Sequence, residues 1–162
     1  MFAQESTLLR FMFGYLQNVL ADWDESDWTT AVAGAANPPA HVVGHLAMSL
    51  DLALNLLGRP SLCPTEWRTN FGPEADPKKV SIPYPSKGEY LIVMARCVEA
   101  IVQAAQTPDL NAMAAPQSFK FFVNTPIKTV GDCVALLMTT HFSLHVGQLS
   151  LMRRIAGKPP LF

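Results

Sequence analysis

The chain has 162 residues, a length that suits one domain with a single hydrophobic core. Hydrophobic residues make up 49% of it, charged residues 15%, and the formal net charge is −1. It therefore lacks the excess of basic residues that binding to nucleic acid or to an anionic membrane surface requires. It also lacks the run of about 18 apolar residues that a membrane-spanning helix needs. We predict one globular domain over residues 1–162, with neither nucleic acid nor membrane as partner.

The three cysteines, Cys63, Cys97 and Cys133, are odd in number and form no Cys-x-x-Cys motif. This pattern is typical of buried thiols in a reducing compartment rather than of a disulfide framework. The first residues include an acid, Glu5, where a secretory signal peptide has a basic segment followed by an apolar run. We therefore expect a cytoplasmic protein.

The first two predicted helices cover about residues 6–21 and 38–57. The first has apolar residues at helical spacing over a wide face, and we expect that face to be well buried. The second begins with Asn37 as N-cap and Pro38 at the first helical position, where a missing N–H costs nothing. Gly58 follows its end, as glycine commonly does after a helix.

A long proline-rich connection follows the second helix. Its prolines are Pro60, Pro64, Pro73, Pro77, Pro83 and Pro85. Proline removes a backbone donor and clashes with the preceding turn, so we expect no long helix here, but at most a helical turn near residues 65–70. The segment is predicted to be a crossover connection.

Two capping boxes mark the third and fourth helices, at about residues 86–106 and 129–156. The first box is Ser86-Lys-Gly-Glu89 and the second is Thr129-Val-Gly-Asp132; in each, two side chains satisfy free amides of the first turn. Residues 118–123 have a strand-like pattern that allows a local hairpin beside the helices. Four helices with one long connection between the second and third predict an all-α four-helix bundle.

All four histidines lie in two identical spacings, His41-Val-Val-Gly-His45 on the second helix and His141-Phe-Ser-Leu-His145 on the fourth. Residues four apart share one helix face, so two imidazoles can converge on an ion about 2.0–2.1 Å from each nitrogen. The apolar stripes direct His45, His141 and His145 into the bundle. Three imidazoles would leave at least one position open for water or substrate, whereas His41 as a fourth ligand would close the site.

Other residues refine this hypothesis. Gln148 follows His145 on the same face and is expected to hydrogen-bond a ligand. Asp51 lies on the opposite face of its helix from His45 and is not expected at the site. Phe142 follows His141, so the His-Glu-x-x-His motif of zinc peptidases is absent, as are phosphate-binding loops and nucleophile elbows. Three tryptophans in loops are expected to cover the core rather than to line a pocket: Trp23, Trp28 and Trp67.

Two stretches of the chain resemble the DinB-like family of metal-binding helical bundles. They are Asn37-Pro-Pro-Ala-His-Val-Val-Gly-His45-Leu-Ala through Gly58, and His141-Phe-Ser-Leu-His145-Val-Gly-Gln148-Leu-Ser-Leu-Met-Arg-Arg through Phe162. The resemblance implies a bundle with a long connection between helices two and three, a homodimer, and a divalent metal held by His45, His141 and His145. His41 has no counterpart in the family's ligand set. The family includes transferases and isomerases that use low-molecular-weight thiols, and members without known activity.

Two functions are compatible with these residues and this resemblance. The first is a metal-dependent transferase or isomerase, in which the metal activates a thiol or water supplied with a small-molecule substrate. The second is a non-catalytic, metal-binding stress-response dimer, in which the ion contributes folding energy. A third, purely structural alternative is a bundle with histidines in its core. The expected cofactor is a divalent ion, namely zinc, nickel or iron, since imidazole sites accept each of them.

Overall fold

A computed structural model describes residues 1–73 and 75–161. Within this range every regular element is helical, so the predicted all-α class is confirmed. The α-helices are α1 (Ala3–Leu20), α2 (Glu25–Trp28), α3 (Pro39–Leu56), α4 (Thr65–Phe71), α5 (Lys87–Ala104), α6 (Leu110–Ala114), α7 (Val130–Met138) and α8 (Thr140–Ile155). Two short 3₁₀ helices, Pro77–Lys79 and Lys120–Phe122, lie in the connections.

The predicted boundaries of α3 and α5 agree with the structure to within about two residues. Pro38 is the N-cap of α3 and Pro39 occupies its first position, one residue later than expected. Gly58, with φ 75°, follows the helix in the left-handed conformation that glycine adopts without strain. At α5 the Ser86 hydroxyl accepts from the Glu89 amide, and a Glu89 carboxylate oxygen accepts from the Ser86 amide at 2.8 Å. The capping box is confirmed.

The prediction of one continuous fourth helix is wrong, because the helix is interrupted at Thr139. There φ is −125° and ψ is −87°, outside the helical region, so that α7 ends and α8 begins. The Thr139 hydroxyl donates to the Ala135 carbonyl at 2.6 Å, and the Thr139 carbonyl accepts from the Ser143 amide at 2.9 Å as α8 starts. A threonine side chain that bonds the preceding turn competes with the helical backbone pattern and bends it. The Thr129 capping box of α7 is present as predicted.

The prediction that a wide apolar face of α1 is buried is also wrong in part. Leu9 and Leu16 are fully buried, but Leu8 is 51% and Phe11 69% exposed. The helix packs on α5, α7 and α8 along one stripe, and these two residues lie outside it. The helix begins three residues earlier than expected, after Phe2, whose φ is 48°.

The helix α3 is the centre of the packing, since it contacts α4, α5, α7 and α8, while α1 covers α5 and α8 from the other side. The expectation that the tryptophans cover the core is confirmed: Trp23, Trp28 and Trp67 are 1%, 0% and 4% exposed. The helical turn expected near residues 65–70 is present as α4. No hairpin forms at residues 118–123, where the described chain has a 3₁₀ helix and an isolated bridge joins Pro116 to Thr129.

The cysteines are free thiols, with Cys97 and Cys133 buried and Cys63 half-buried. None of the helices in the described ranges combines the length and the hydropathy of a membrane-spanning segment.

Candidate metal centre

Three histidines converge where α3 packs against α8. His45 comes from α3, and His141 and His145 come from α8. One ring nitrogen of each lies within 4.8 Å of the other two, and the ring centroids are 4.7–5.2 Å apart. The structure thus brings together the three residues predicted as ligands, and all three are half-buried.

The His45 ring is oriented by a backbone carbonyl. Its Nδ1 lies 3.2 Å from the carbonyl oxygen of Phe71, the last residue of α4. A carbonyl only accepts hydrogen bonds, so we assign the proton of the neutral ring to Nδ1 and the lone pair to Nε2. Gly44 permits this arrangement, because a Cβ at that position would lie 2.6 Å from Cγ of the Phe71 ring.

The His145 ring is oriented by an amide side chain. Its Nδ1 lies 3.0 Å from Oε1 of Gln148, one turn later on α8, which confirms the hydrogen bond predicted for Gln148. The amide oxygen is an acceptor, so this ring also carries its proton on Nδ1 and its lone pair on Nε2. Such outer partners fix the tautomer and orientation of metal-binding histidines.

The spacing of the nitrogens fits one ion. Nε2 of His45 and Nε2 of His141 are 3.3 Å apart. Two ligands about 2.0–2.1 Å from a tetrahedral ion are about 3.3–3.4 Å apart. In the absence of an ion this contact is a hydrogen bond between the two rings, and its length together with the two assigned tautomers is compatible with a divalent metal shared by these nitrogens.

The local environment favours the neutral form of two of the imidazoles, His45 and His141. Burial lowers the pKa of His141 to about 4, with smaller contributions from the neighbouring His145 and His45 rings. Burial is also the largest cause that lowers the pKa of His45, followed by the effect of His145. Neutral imidazole is the form that binds metal, so these two side chains are in the binding form at neutral pH.

His41 lies outside the group. It is 6% exposed and its ring meets the edges of Phe71 and Tyr84, with centroids 5.7 and 6.3 Å away. Burial lowers its pKa, and within the described residues its Nδ1 has no hydrogen-bond partner. The closed site with four histidines is therefore not assembled in this structure.

Carboxylates are absent from the histidine group in the part of the chain that the structure describes. Glu89 serves the α5 capping box, and Glu99 pairs with Arg10 at 3.0 Å on the exposed surface. Asp51, placed on the opposite face of α3 from His45, belongs to a second group with Cys63 and Cys97. The prediction of buried cysteines holds for Cys97, while Cys63 is half-buried. The group itself was not predicted, because its members are far apart in the chain and follow no motif.

A cavity of about 320 Å³ borders the part of α3 that follows His45. Its walls come from α3, from α4 and the residues just after it, and from the connection between α6 and α7. The lining residues are Met48, Asp51, Leu52, Asn55, Arg68, Gly72, Pro73 and Phe119. The three histidines are not among them. This cavity is therefore separate from the ring nitrogens of the candidate metal centre.

No protein-family model matches the chain, and no curated protein shows significant sequence similarity to it.

Proposed function

We propose that this chain is a metal-binding bundle of the DinB-like type, with one divalent ion held by Nε2 of His45, His141 and His145. The convergence of these nitrogens from α3 and α8, with two rings oriented through Nδ1, is the observation that carries the proposal. The four bundle helices would be α1, α3, α5 and the pair α7 and α8. The chain from α3 to α5, which contains α4, would be the family's long connection.

The metal, when bound, would lower the pKa of a thiol or water in its open position and so supply a nucleophile at neutral pH. The chain's own contribution is to hold and orient the ligands. The Phe71 carbonyl and the Gln148 amide keep the lone pairs of His45 and His145 directed at the centre. Since no carboxylate or thiol of the described chain joins the histidine group, a nucleophile would come from a small-molecule thiol substrate or from water.

A non-catalytic role is the second candidate, and one observation favours it. The cavity of about 320 Å³ beside α3 is not lined by the three histidines, so a substrate bound there would lie away from the proposed metal. In this alternative the ion joins α3 to α8 and contributes to stability, as structural metal ions do.

A homodimer is proposed with either role. Exposed apolar side chains lie on two helices that pack together, α1 and α8, and are available for an interface: Leu8, Phe11, Leu144, Leu151 and Ile155. Sedimentation of the wild type and of Phe11→Ser tests this proposal. We expect the variant to sediment as a lighter species, and a monomeric wild type would exclude the dimer. The cytoplasmic location stays a prediction.

Metal binding is tested by elemental analysis and by competition with a chelator of known affinity. We expect about one ion per chain at the histidines, with zinc, nickel or iron as the candidates. His45→Ala, His141→Ala and His145→Ala should each weaken binding more than about 100-fold, because two imidazoles hold an ion poorly. His41→Ala is the matched control, since it removes a buried histidine one turn away. If His41→Ala loses the ion and His45→Ala keeps it, the assignment of the α3 ligand is wrong by one turn.

Catalysis is tested separately. Thiol transfer to a chromogenic electrophile should be measured for the metal-loaded protein, the metal-free protein and His141→Ala, with several biological thiols. Faster transfer by the metal-loaded protein alone would support the transferase. Equal rates in all three preparations would support the non-catalytic role.

A further inference from the structure

A second group of side chains that could hold a metal ion includes one residue of α3 and two from outside it. Asp51 on α3, Cys63 in the connection and Cys97 on α5 each place one ligand atom within 4.8 Å of the other two. Asp51 is 3% exposed and Cys97 is fully buried. None of these residues belongs to the histidine group, so this cluster is independent of the function proposed above.

The Asp51 carboxylate is held in place by the connection. Its Oδ1 accepts hydrogen bonds from the backbone amides of Leu62 at 2.7 Å and Cys63 at 3.1 Å. Oδ2 receives neither of these bonds, and no ion pair reaches Asp51 within the described ranges. A buried carboxylate usually has a cationic partner, because isolated burial of a charge is costly. Arg68 lines the same cavity as Asp51 but forms no ion pair with it, so the carboxylate is available to a bound cation.

The two thiols complete the group. The Cys63 thiol donates to the Ala47 carbonyl at 3.5 Å. Its hydrogen bond with Cys97, then burial, raise the pKa of Cys63 well above its ordinary value. Thiols in this state are poor nucleophiles toward oxidants and electrophiles. A metal ion overcomes this protonation, because it displaces the thiol protons and binds the thiolates directly.

We propose that Asp51, Cys63 and Cys97 form a second metal site that binds one borderline or soft divalent cation, such as Zn²⁺. Binding forms two metal–sulfur bonds and one metal–oxygen bond and releases the two thiol protons to solvent. Sulfur ligands exclude Mg²⁺ and Ca²⁺, which prefer sites made of oxygen alone. The ion would tie α3, α5 and the connection together. Cys63 is half-buried and Asp51 lines the cavity of about 320 Å³, so two of the three donors border solvent-accessible space.

Titration of the reduced, metal-free protein with Co²⁺ tests this site, because cobalt bound to thiolate gives a sulfur-to-metal charge-transfer band in the near ultraviolet. We expect two Co²⁺ per chain and a strong band in the wild type. The triple variant His45→Ala/His141→Ala/His145→Ala should bind one and keep the band. Cys63→Ser/Cys97→Ser should bind one and lose it. Cys133→Ser, which removes the remaining thiol, should behave as the wild type.

The wild-type titration alone can overturn the proposal, whatever the variants do to folding. A saturated wild-type protein without the charge-transfer band would exclude thiolate ligation, whereas a band that persists in Cys63→Ser/Cys97→Ser would exclude these two thiols as its source. If Cys133→Ser removes the band and Cys63→Ser/Cys97→Ser does not, the thiolate belongs to Cys133 and the proposal is wrong. The histidine site fails by a different result, namely a wild type that binds one ion with the full band.

Discussion

Substitution of Gly44 by alanine tests how the structure orients His45. Gly44 precedes His45 on α3, and a Cβ there would lie 2.6 Å from Cγ and 2.9 Å from Cδ1 and Cδ2 of Phe71. Carbon atoms in contact are ordinarily about 3.5–4.0 Å apart, so the ring would have to retreat by about 1 Å. It has little room, because Phe71 is fully buried. Its ring neighbours are Trp67, Tyr84, Tyr90 and His41.

Two opposing effects set the expected change in stability. Overpacking of a buried site costs about 1–3 kcal/mol, while alanine in place of glycine within a helix stabilises by about 0.5–1 kcal/mol. We expect Gly44→Ala to lower the free energy of unfolding of the metal-free protein by about 0.5–2 kcal/mol. Displacement of the Phe71 carbonyl, now 3.2 Å from Nδ1 of His45, should also weaken metal binding by about 10–100-fold.

Urea unfolding and chelator competition measure the two effects, and Gly14→Ala is the matched control. Gly14 lies within α1, and a Cβ there would meet nothing within 4 Å. The control should be stabilised by about 0.5–1 kcal/mol and should bind metal as the wild type does. If Gly44→Ala equals Gly14→Ala in both measurements, the contact between Phe71 and α3 does not set the orientation of His45.

Three further predictions concern caps, charge and metal. Ser86→Ala removes the N-cap of α5 and should lower the free energy of unfolding by about 1 kcal/mol in urea titration; an unchanged midpoint would contradict the cap. Asp22→Asn removes the carboxylate that accepts hydrogen bonds from Arg153, whose side chain is 4% exposed. We expect it to lower the free energy of unfolding by only about 1–2 kcal/mol, because Asp22 is 42% exposed and solvent screens the pair. The Arg153 hydrogen bond lowers the pKa of Asp22 below 3.8, so this difference should be full above about pH 4 and disappear as the pH falls through the lowered pKa; a difference independent of pH would refute the ion pair. Chelation should lower the thermal midpoint of the wild type more than that of His141→Ala, since ligand at 100 times its Kd stabilises by about 2.7 kcal/mol; equal shifts would exclude metal at the histidines.

The parts of the site that follow helical periodicity could be predicted from the sequence. The spacing of the two histidine pairs, the partner Gln148 and the two capping boxes all involve residues within one or two turns of each other. Such local relations are fixed by helix geometry whatever the tertiary structure.

The parts that depend on the route of the connection could not be predicted. Phe71 lies 26 residues from His45, and its carbonyl reaches the ring only because α4 folds back onto α3. Cys63 meets Asp51 and Cys97 for the same reason. A proline-rich segment has no periodicity from which such a path can be read. The exposure of Leu8 and Phe11 likewise depends on which helices cover α1, and not on the pattern within it.

Because the helix is interrupted at Thr139, the rotation of His141 and His145 about the axis of α8 does not depend on the number of residues in α7. In one continuous helix, each inserted residue would rotate everything after it by about 100° and swing both imidazoles away from α3. Here the joint lies between the capped start of α7 and the histidines, and α8 has its own contacts with α1 and α3. We expect an insertion or deletion in α7 to be accommodated at Thr139, while the contacts of α8 with α1 and α3 preserve its rotation. The direction in which His141 and His145 face α3 would then depend on the packing of α8 and not on the length of α7.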